Sequence, residues 1–162
     1  MISIGDRIPE ATLVVSGNSS DPTACAIPKQ ITSTDLLKGK IILFAVPGAF
    51  TPTCHLNHLP GYIQHATEFK QKGINSIFCL STNDIFVLDA WAKSMNANDI
   101  QMVSDGNGEF VTKLGLSKDM SSRIMGSNRT ERFAMVCENG VITHIAVGDL
   151  SVSGADIILT KV

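Results

Sequence analysis

The chain has 162 residues, of which 44% are hydrophobic and 17% charged, with a formal net charge of −2. That length suits a single domain spanning 1–162, with apolar side chains enough for a substantial core. The near-neutral charge argues against nucleic acid or an anionic membrane as a partner, and no apolar run is long enough to span a bilayer. Met1-Ile2-Ser3-Ile4-Gly5-Asp6 lacks the basic and apolar regions of a secretory leader, so the expectation is a cytoplasmic protein. Without such a leader, the glycosylation patterns Asn18-Ser19-Ser20 and Asn128-Arg129-Thr130 read as chance. The cysteines, Cys25, Cys54, Cys79 and Cys137, are scattered and form no C-x-x-C pair. That pattern fits buried residues in a reducing compartment with one reactive thiol, not a disulfide scaffold.

No repeat or low-complexity segment interrupts the chain. Residues 16–30 are polar and turn-rich, which predicts a surface excursion. Ser33-Thr34-Asp35-Leu36-Leu37 predicts a short capped helix ending at Gly39. Residues 41–46, Ile-Ile-Leu-Phe-Ala-Val, are a continuous apolar run suited to a buried strand. A helix then starts near Thr51, with Leu56, Leu59, Tyr62, Ile63, Ala66 and Phe69 at helical spacing and an end near Gly73. Pro60 should kink it. Residues 74–80 predict a strand, and Asn83 or Asp84 caps a helix carrying Phe86, Val87, Ala90 and Trp91. Residues 100–103 suggest a short strand, 105–108 a turn, and 109–116 a short helix. Residues 133–137 and 141–147 form a predicted hairpin turning at Asn139-Gly140. Residues 152–162 predict a final helix. Strands alternating with helices, then a hairpin, imply an α/β sheet covered on both faces.

The most informative stretch is Pro47-Gly48-Ala49-Phe50-Thr51-Pro52-Thr53-Cys54. Thr51 is a natural N-cap and Pro52 a natural first helical residue, which puts Cys54 in the first turn. There the unpaired backbone N–H groups and the positive end of the helix dipole favour the thiolate, the reactive form of cysteine. A buried inert cysteine is the plain alternative. Cys54 and His58 are i, i+4 on one face, with His65 further along, so a zinc site is a rival; Pro60 intervenes and too few ligands gather. A Cys–His acyl-transfer site is a second rival that lacks any sign of an oxyanion hole. His58 is expected to pack or hydrogen-bond locally.

The pattern Pro47-x-x-x-Thr51-x-x-Cys54, followed by His58-Leu59-Pro60-Gly61, resembles the active-site signature of peroxiredoxins, in particular the type II, peroxiredoxin-5-like branch. Gly5-Asp6-Arg7-Ile8-Pro9, Ser81-Thr82-Asn83-Asp84 and Arg129-Thr130-Glu131-Arg132-Phe133 extend the resemblance over most of the chain. It implies a thioredoxin-like α/β fold, a central mixed sheet flanked by helices. It also implies a thiol peroxidase acting on hydrogen peroxide and alkyl hydroperoxides in antioxidant defence, without metal or organic cofactor, and a homodimer packed through the active-site side.

By this resemblance Cys54 is the peroxidatic cysteine, Thr51 and Pro47 orient the peroxide and shield the thiol, and Arg132 pairs with sulfur and peroxide. Arg129 supports. Cys79 matches the resolving cysteine of plant and some bacterial type II enzymes; its alternative is inert core. Animal enzymes use a cysteine near the C-terminus, and none follows Cys137 here. Cys25 and Cys137 read as structural. If Cys79 does not resolve the sulfenic acid, the resemblance implies glutathione with a separate glutaredoxin, or thioredoxin. A peroxide sensor that relays oxidation to a partner uses the same residues. A thioredoxin-like binding module with an idle cysteine is the remaining alternative.

Overall fold

The structure is a computed structural model that describes residues 1–17, 21 and 23–162. The strands are β1 (Thr12–Gly17), β2 (Ile27–Thr32), β3 (Lys40–Ala45), β4 (Ser76–Ser81), β5 (Gln101–Ser104), β6 (Ser117–Lys118), β7 (Arg129–Thr130), β8 (Phe133–Glu138) and β9 (Val141–Val147). The α-helices are α1 (Ser33–Leu36), α2 (Leu59–Gln71), α3 (Ile85–Ser94), α4 (Glu109–Leu114), α5 (Leu150–Ser153) and α6 (Ala155–Leu159). A seven-stranded sheet runs β2-β1-β5-β4-β3-β8-β9. Its centre, β3, β4 and β5, is parallel, and the outer pairings are antiparallel. This is the thioredoxin-like mixed sheet, with helices on both faces.

The alternation of β3 divides the core. Ile42 and Phe44 point to one face, where they pack with Cys54, Tyr62, Phe69, Cys79 and Trp91 beneath α2 and α3. Ile41, Leu43 and Ala45 point to the other, against Phe110, Leu114, Phe133, Met135 and Cys137. Successive strand side chains face opposite sides, so a run apolar at every position, as β3 is, has to be covered on both. Among the described residues no helix is long and apolar enough to cross a membrane.

Most predicted elements occur with edges shifted by a residue or two. Thr32 caps α1 by accepting from the Asp35 N–H, and Asp84 caps α3 by accepting from Val87. Asn139 and Gly140 both have positive φ, 50° and 80°, as a tight hairpin turn requires. Helix α4 stops at Leu114, ahead of the expected 116, because Gly115 turns left-handed at φ 73°.

Two expectations fail and one element was not foreseen. Residues 27–30, expected within a surface excursion over 16–30, belong to an edge strand that runs to Thr32. β1 would otherwise leave a row of unpaired backbone groups, and Pro28 and Lys29 suit an exposed edge. Ser16 and Gly17, also in the 16–30 reading, end β1, and the Asn18-Ser19-Ser20 pattern lies outside the described residues. The expected final helix over 152–162 is two short helices broken at Gly154. The small β6–β7 ladder had no sequence signal at all, being two residues long on each side.

The loop after β3 is pinned from β4. Val46 N–H donates to the Leu80 carbonyl at 3.0 Å. Asn83 Oδ1 accepts from Ala49 N–H at 2.9 Å and from Ser81 Oγ at 2.7 Å. This tether holds the chain beside Phe50, whose φ of 60° is strained for a non-glycine residue. Asn83→Ala is expected to lower unfolding stability by about 1–3 kcal/mol, since it leaves the Ala49 N–H unpaired. Urea denaturation checks this, and a loss below about 0.5 kcal/mol, an ordinary surface change, would contradict it.

Candidate active site

Cys54 opens a π-helical turn, Cys54–His58, that runs directly into α2. Pro52 and Thr53 precede it as helix, so Thr51 stands at the expected cap position. Its hydroxyl does something else, however: Thr51 Oγ1 donates to the Gly48 carbonyl at 2.7 Å. That bond folds the Pro47–Thr51 loop on itself and leaves the Thr51 oxygen lone pairs as acceptors. Pro60 explains the wide turn. It has no N–H to give to Leu56, so the regular ladder cannot form there. The Leu59 N–H bonds instead to the Cys54 carbonyl, five residues back. The expected kink is thus realised as a change of hydrogen-bond register.

The π turn points Cys54 and His58 inward, and both are buried. Between them lies Arg132, from the residue just before β8. Its Nη2 donates to Cys54 Sγ at 3.0 Å and its Nη1 to His58 Nδ1 at 2.9 Å. His58 Nε2 in turn donates to the Ser153 carbonyl at 3.1 Å. A carbonyl can only accept and a guanidinium can only donate, so His58 is the neutral Nε2–H tautomer. Burial lowers its pKa from 6.5 to about 4; the Ser153 bond opposes that shift and the Arg132 charge adds to it. His58, expected from the sequence to pack or hydrogen-bond locally, instead bonds to residues 74 and 95 positions away. It is the acceptor that orients the arginine on the sulfur.

Tyr62 shares the Ser153 carbonyl, donating from its hydroxyl at 2.8 Å, and stacks on Phe44 at 4.0 Å. Neither contact was legible from spacing. The available signal was Pro60, two residues after His58, which forbids a plain α turn at that point. On the outer side, His55 Nδ1 accepts from Trp91 Nε1 at 3.0 Å and stacks with Phe50.

The other expected residues divide into two groups. Pro47 and Arg132 both line a cleft of about 460 Å³, together with Met120, Gly148 and a charged rim that includes Lys118 and Asp149. Arg129 does not reach the sulfur. Its Nε donates to the Met125 carbonyl at 2.7 Å and its Nη1 lies 3.5 Å from the Pro47 carbonyl, so it braces the loop. Cys54 and Thr51 lie behind Pro47 and Arg132 and do not line the cleft, and a larger hollow of about 620 Å³ lies at the opposite end of the parallel strands, against Ser76 and Gln101.

Cys79 is fully buried in the middle of β4, on the Cys54 face of the sheet. Burial pushes its thiol pKa well above the usual range; nearby Cys54 adds to this and Arg132 opposes it. Cys137 lies on the other face and burial pushes it up to about 12, which separates it from Cys54. Cys25 is exposed ahead of β2, and all four thiols are unpaired. The zinc and acyl-transfer rivals lose their donors: Arg132 occupies both the Cys54 sulfur and His58 Nδ1, and His65 pairs with Glu68 at 2.8 Å.

The chain as a whole has counterparts among known proteins. The redoxin family matches residues 3–159. Peroxiredoxin-2E, chloroplastic, of Arabidopsis thaliana is 44% identical over 144 residues, covering 87% of this chain and 59% of that longer protein. Peroxiredoxin-2B of the same plant is 38% identical over 162 residues, covering 98% of this chain and 96% of the relative. Reduced Prx3 of Vibrio vulnificus, solved in complex with hydrogen peroxide, superposes with a TM-score of 0.90 at 39% identity, covering 99% of each chain. The chain belongs to the redoxin family and, within it, to the type II peroxiredoxins.

Proposed function

We propose that this chain is a thiol peroxidase that reduces hydrogen peroxide and alkyl hydroperoxides at Cys54. The single observation that carries this reading is the 3.0 Å contact of Arg132 Nη2 with Cys54 Sγ. A guanidinium fixed on the sulfur donates a charge-assisted hydrogen bond to it, and the same group can donate to the peroxide oxygens. Peroxide enters by the cleft whose wall is Pro47 and Arg132. Thr51, its own proton committed to Gly48, accepts a hydrogen bond from the peroxide O–H.

The Cys54 sulfur attacks the terminal oxygen and the O–O bond breaks. Sulfur keeps the OH as sulfenic acid, oxidised by two electrons, and the second oxygen leaves as hydroxide or alkoxide. Arg132 stabilises that leaving charge until it takes a proton from water. The π turn, with its irregular register, then opens and exposes the sulfenic acid. An external thiol (glutathione with glutaredoxin, or thioredoxin) condenses with it, releasing water, and a second thiol returns Cys54 to the reduced form. This resolution fits a Cys79 locked neutral in a central strand. One observation favours the second reading, that Cys79 resolves: it shares a face and a core cluster with Cys54.

Exposed apolar side chains on the active-site loop, the π turn and α3, namely Phe50, Leu56 and Phe86, support a homodimer through this side. The scattered cysteines, with no C-x-x-C pair, support a reducing, cytoplasmic setting.

Peroxide consumption with glutathione–glutaredoxin or thioredoxin tests the reading. Cys54→Ser should remove turnover without unfolding the chain, and residual turnover in that variant would sink the mechanism. Arg132→Gln should cost about 10²–10³-fold in the peroxide step. Intact mass after one equivalent of peroxide with dimedone decides the resolving thiol. A dimedone adduct in wild type supports the external thiol. Loss of two hydrogens in wild type, with the adduct only in Cys79→Ser, shows that Cys79 resolves. Sedimentation should show a dimer, and a monomer at micromolar concentration would contradict the proposed interface.

His58 also sets an acid limit. Its folded value, about 4, lies below the ordinary 6.5. The unfolded chain therefore takes up a proton over that window while the native state does not. The stability this imidazole contributes is complete above 6.5 and is lost as pH falls to about 4, amounting to about 3 kcal/mol. Urea midpoints near pH 7 and pH 4.5 should fall further in wild type than in His58→Asn. Equal falls would show that His58 does not titrate this way.

A further inference from the structure

We propose that the helix break at Gly154, acting through the Ser153 carbonyl and His58, holds Arg132 on Cys54, which makes Gly154 and His58 positioning residues for the reaction. The inference rests on the peroxidase reading of this site and assigns part of its machinery to the C-terminal segment.

The 148–154 segment grips Arg132 at both ends. The Gly148 N–H donates to the Arg132 backbone carbonyl at 2.8 Å. Ser153 Oγ secures that turn by donating to the Gly148 carbonyl at 3.1 Å and the Asp149 carbonyl at 2.8 Å. The guanidinium end is held through His58, whose Nε2 is bound to the Ser153 carbonyl.

In an unbroken helix the Ser153 carbonyl would accept the Ile157 N–H. Here Ile157 and Ile158 both donate to the Gly154 carbonyl, at 3.2 and 3.1 Å. The Ser153 carbonyl is thereby released to accept two buried side chains, His58 and Tyr62. By holding the proton on Nε2, it leaves the Nδ1 lone pair facing Arg132. Glycine is required at the break for space and not for φ. At φ −66° and ψ 156° any residue is at ease, but a Cβ on Gly154 would lie 2.6 Å from the Leu150 carbonyl oxygen. Residue 154 cannot gain a side chain without shifting the peptide that carries the Ser153 carbonyl.

The test reads the sulfur directly. In a Cys25→Ser background, which removes the exposed thiol, the iodoacetamide alkylation rate of Cys54 is followed against pH. Gly154→Ala and His58→Phe should react about tenfold more slowly near pH 6, with profiles moved to higher pH, as loss of a charge-assisted bond to the thiolate requires. His58→Asn should recover part of the rate, its amide oxygen standing in for Nδ1. Gly61→Ala, whose Cβ would meet Ala155 Cβ at an ordinary 3.6 Å, is the packing control and should match the parent. A parental profile in Gly154→Ala, or slowing there with His58→Phe unchanged, would overturn the relay. Should these variants not fold, ¹⁵N spectra of the parent's histidines decide: an Nε2–H tautomer for His58 at neutral pH supports the proposal, and Nδ1–H or imidazolium overturns it. Alkylation needs no peroxide, so failure of the peroxidase reading would show separately, as absent turnover with this profile intact.

Discussion

Everything at this site depends on keeping a positive charge against a buried sulfur. Cys54 has no exposed surface, and Arg132 is its hydrogen-bond donor at 3.0 Å. A half-buried guanidinium turned towards the core needs acceptors for the protons it directs there, or their desolvation costs more than the contact returns. His58 supplies one, and it can do so only while neutral. Burial keeps the imidazole uncharged, and the Ser153 carbonyl keeps its proton on the far nitrogen. Charge on the arginine, neutrality of the histidine and the break in the C-terminal helices are therefore one electrostatic arrangement.

The fold brings these pieces together from distant parts of the chain. β3 ends in the loop that carries Pro47 and Thr51, and β8 begins immediately after Arg132; the two strands are antiparallel neighbours, with Ala45 opposite Phe133. The cysteine helix and the arginine thus emerge at the same end of adjacent strands. Asn83, at the end of β4, ties down the intervening loop. The π turn adds the residue of slack that lets Cys54 and His58 both face inward ahead of Pro60. Such irregular turns lie at the low end of local stability, which suits the opening that the proposed cycle requires.

How much could be read in advance follows from the range of each signal. The helix start at Pro52, the cap at Asp84, the hairpin turn at Asn139-Gly140 and the doubly buried β3 are local patterns, and the chain states them directly. The pairing of Cys54 with Arg132 spans 78 positions and came only through the family resemblance. His58 was visible as a neighbour of Cys54, yet nothing in its spacing names a partner 74 residues away. The break at Gly154 was hidden because the flanking residues keep a helical rhythm, and its consequence shows only in the bonds that the Ser153 carbonyl accepts from His58 and Tyr62, 95 and 91 positions away. The β2 edge strand was missed for the opposite reason: polar residues and Pro28 suit an edge but imitate a loop.

Trp91 offers the most direct measurement, because it is the chain's only tryptophan and its indole bonds to His55, next to Cys54. Mixing reduced protein with hydrogen peroxide in a stopped-flow instrument should give a single-turnover change in its fluorescence. The account requires a rate that is first order in peroxide, orders of magnitude above that of a free thiol, and absent in Cys54→Ser. A rate no faster than free cysteine, or one unaltered by Arg132→Gln, would contradict the claim that a held arginine makes this buried thiol reactive.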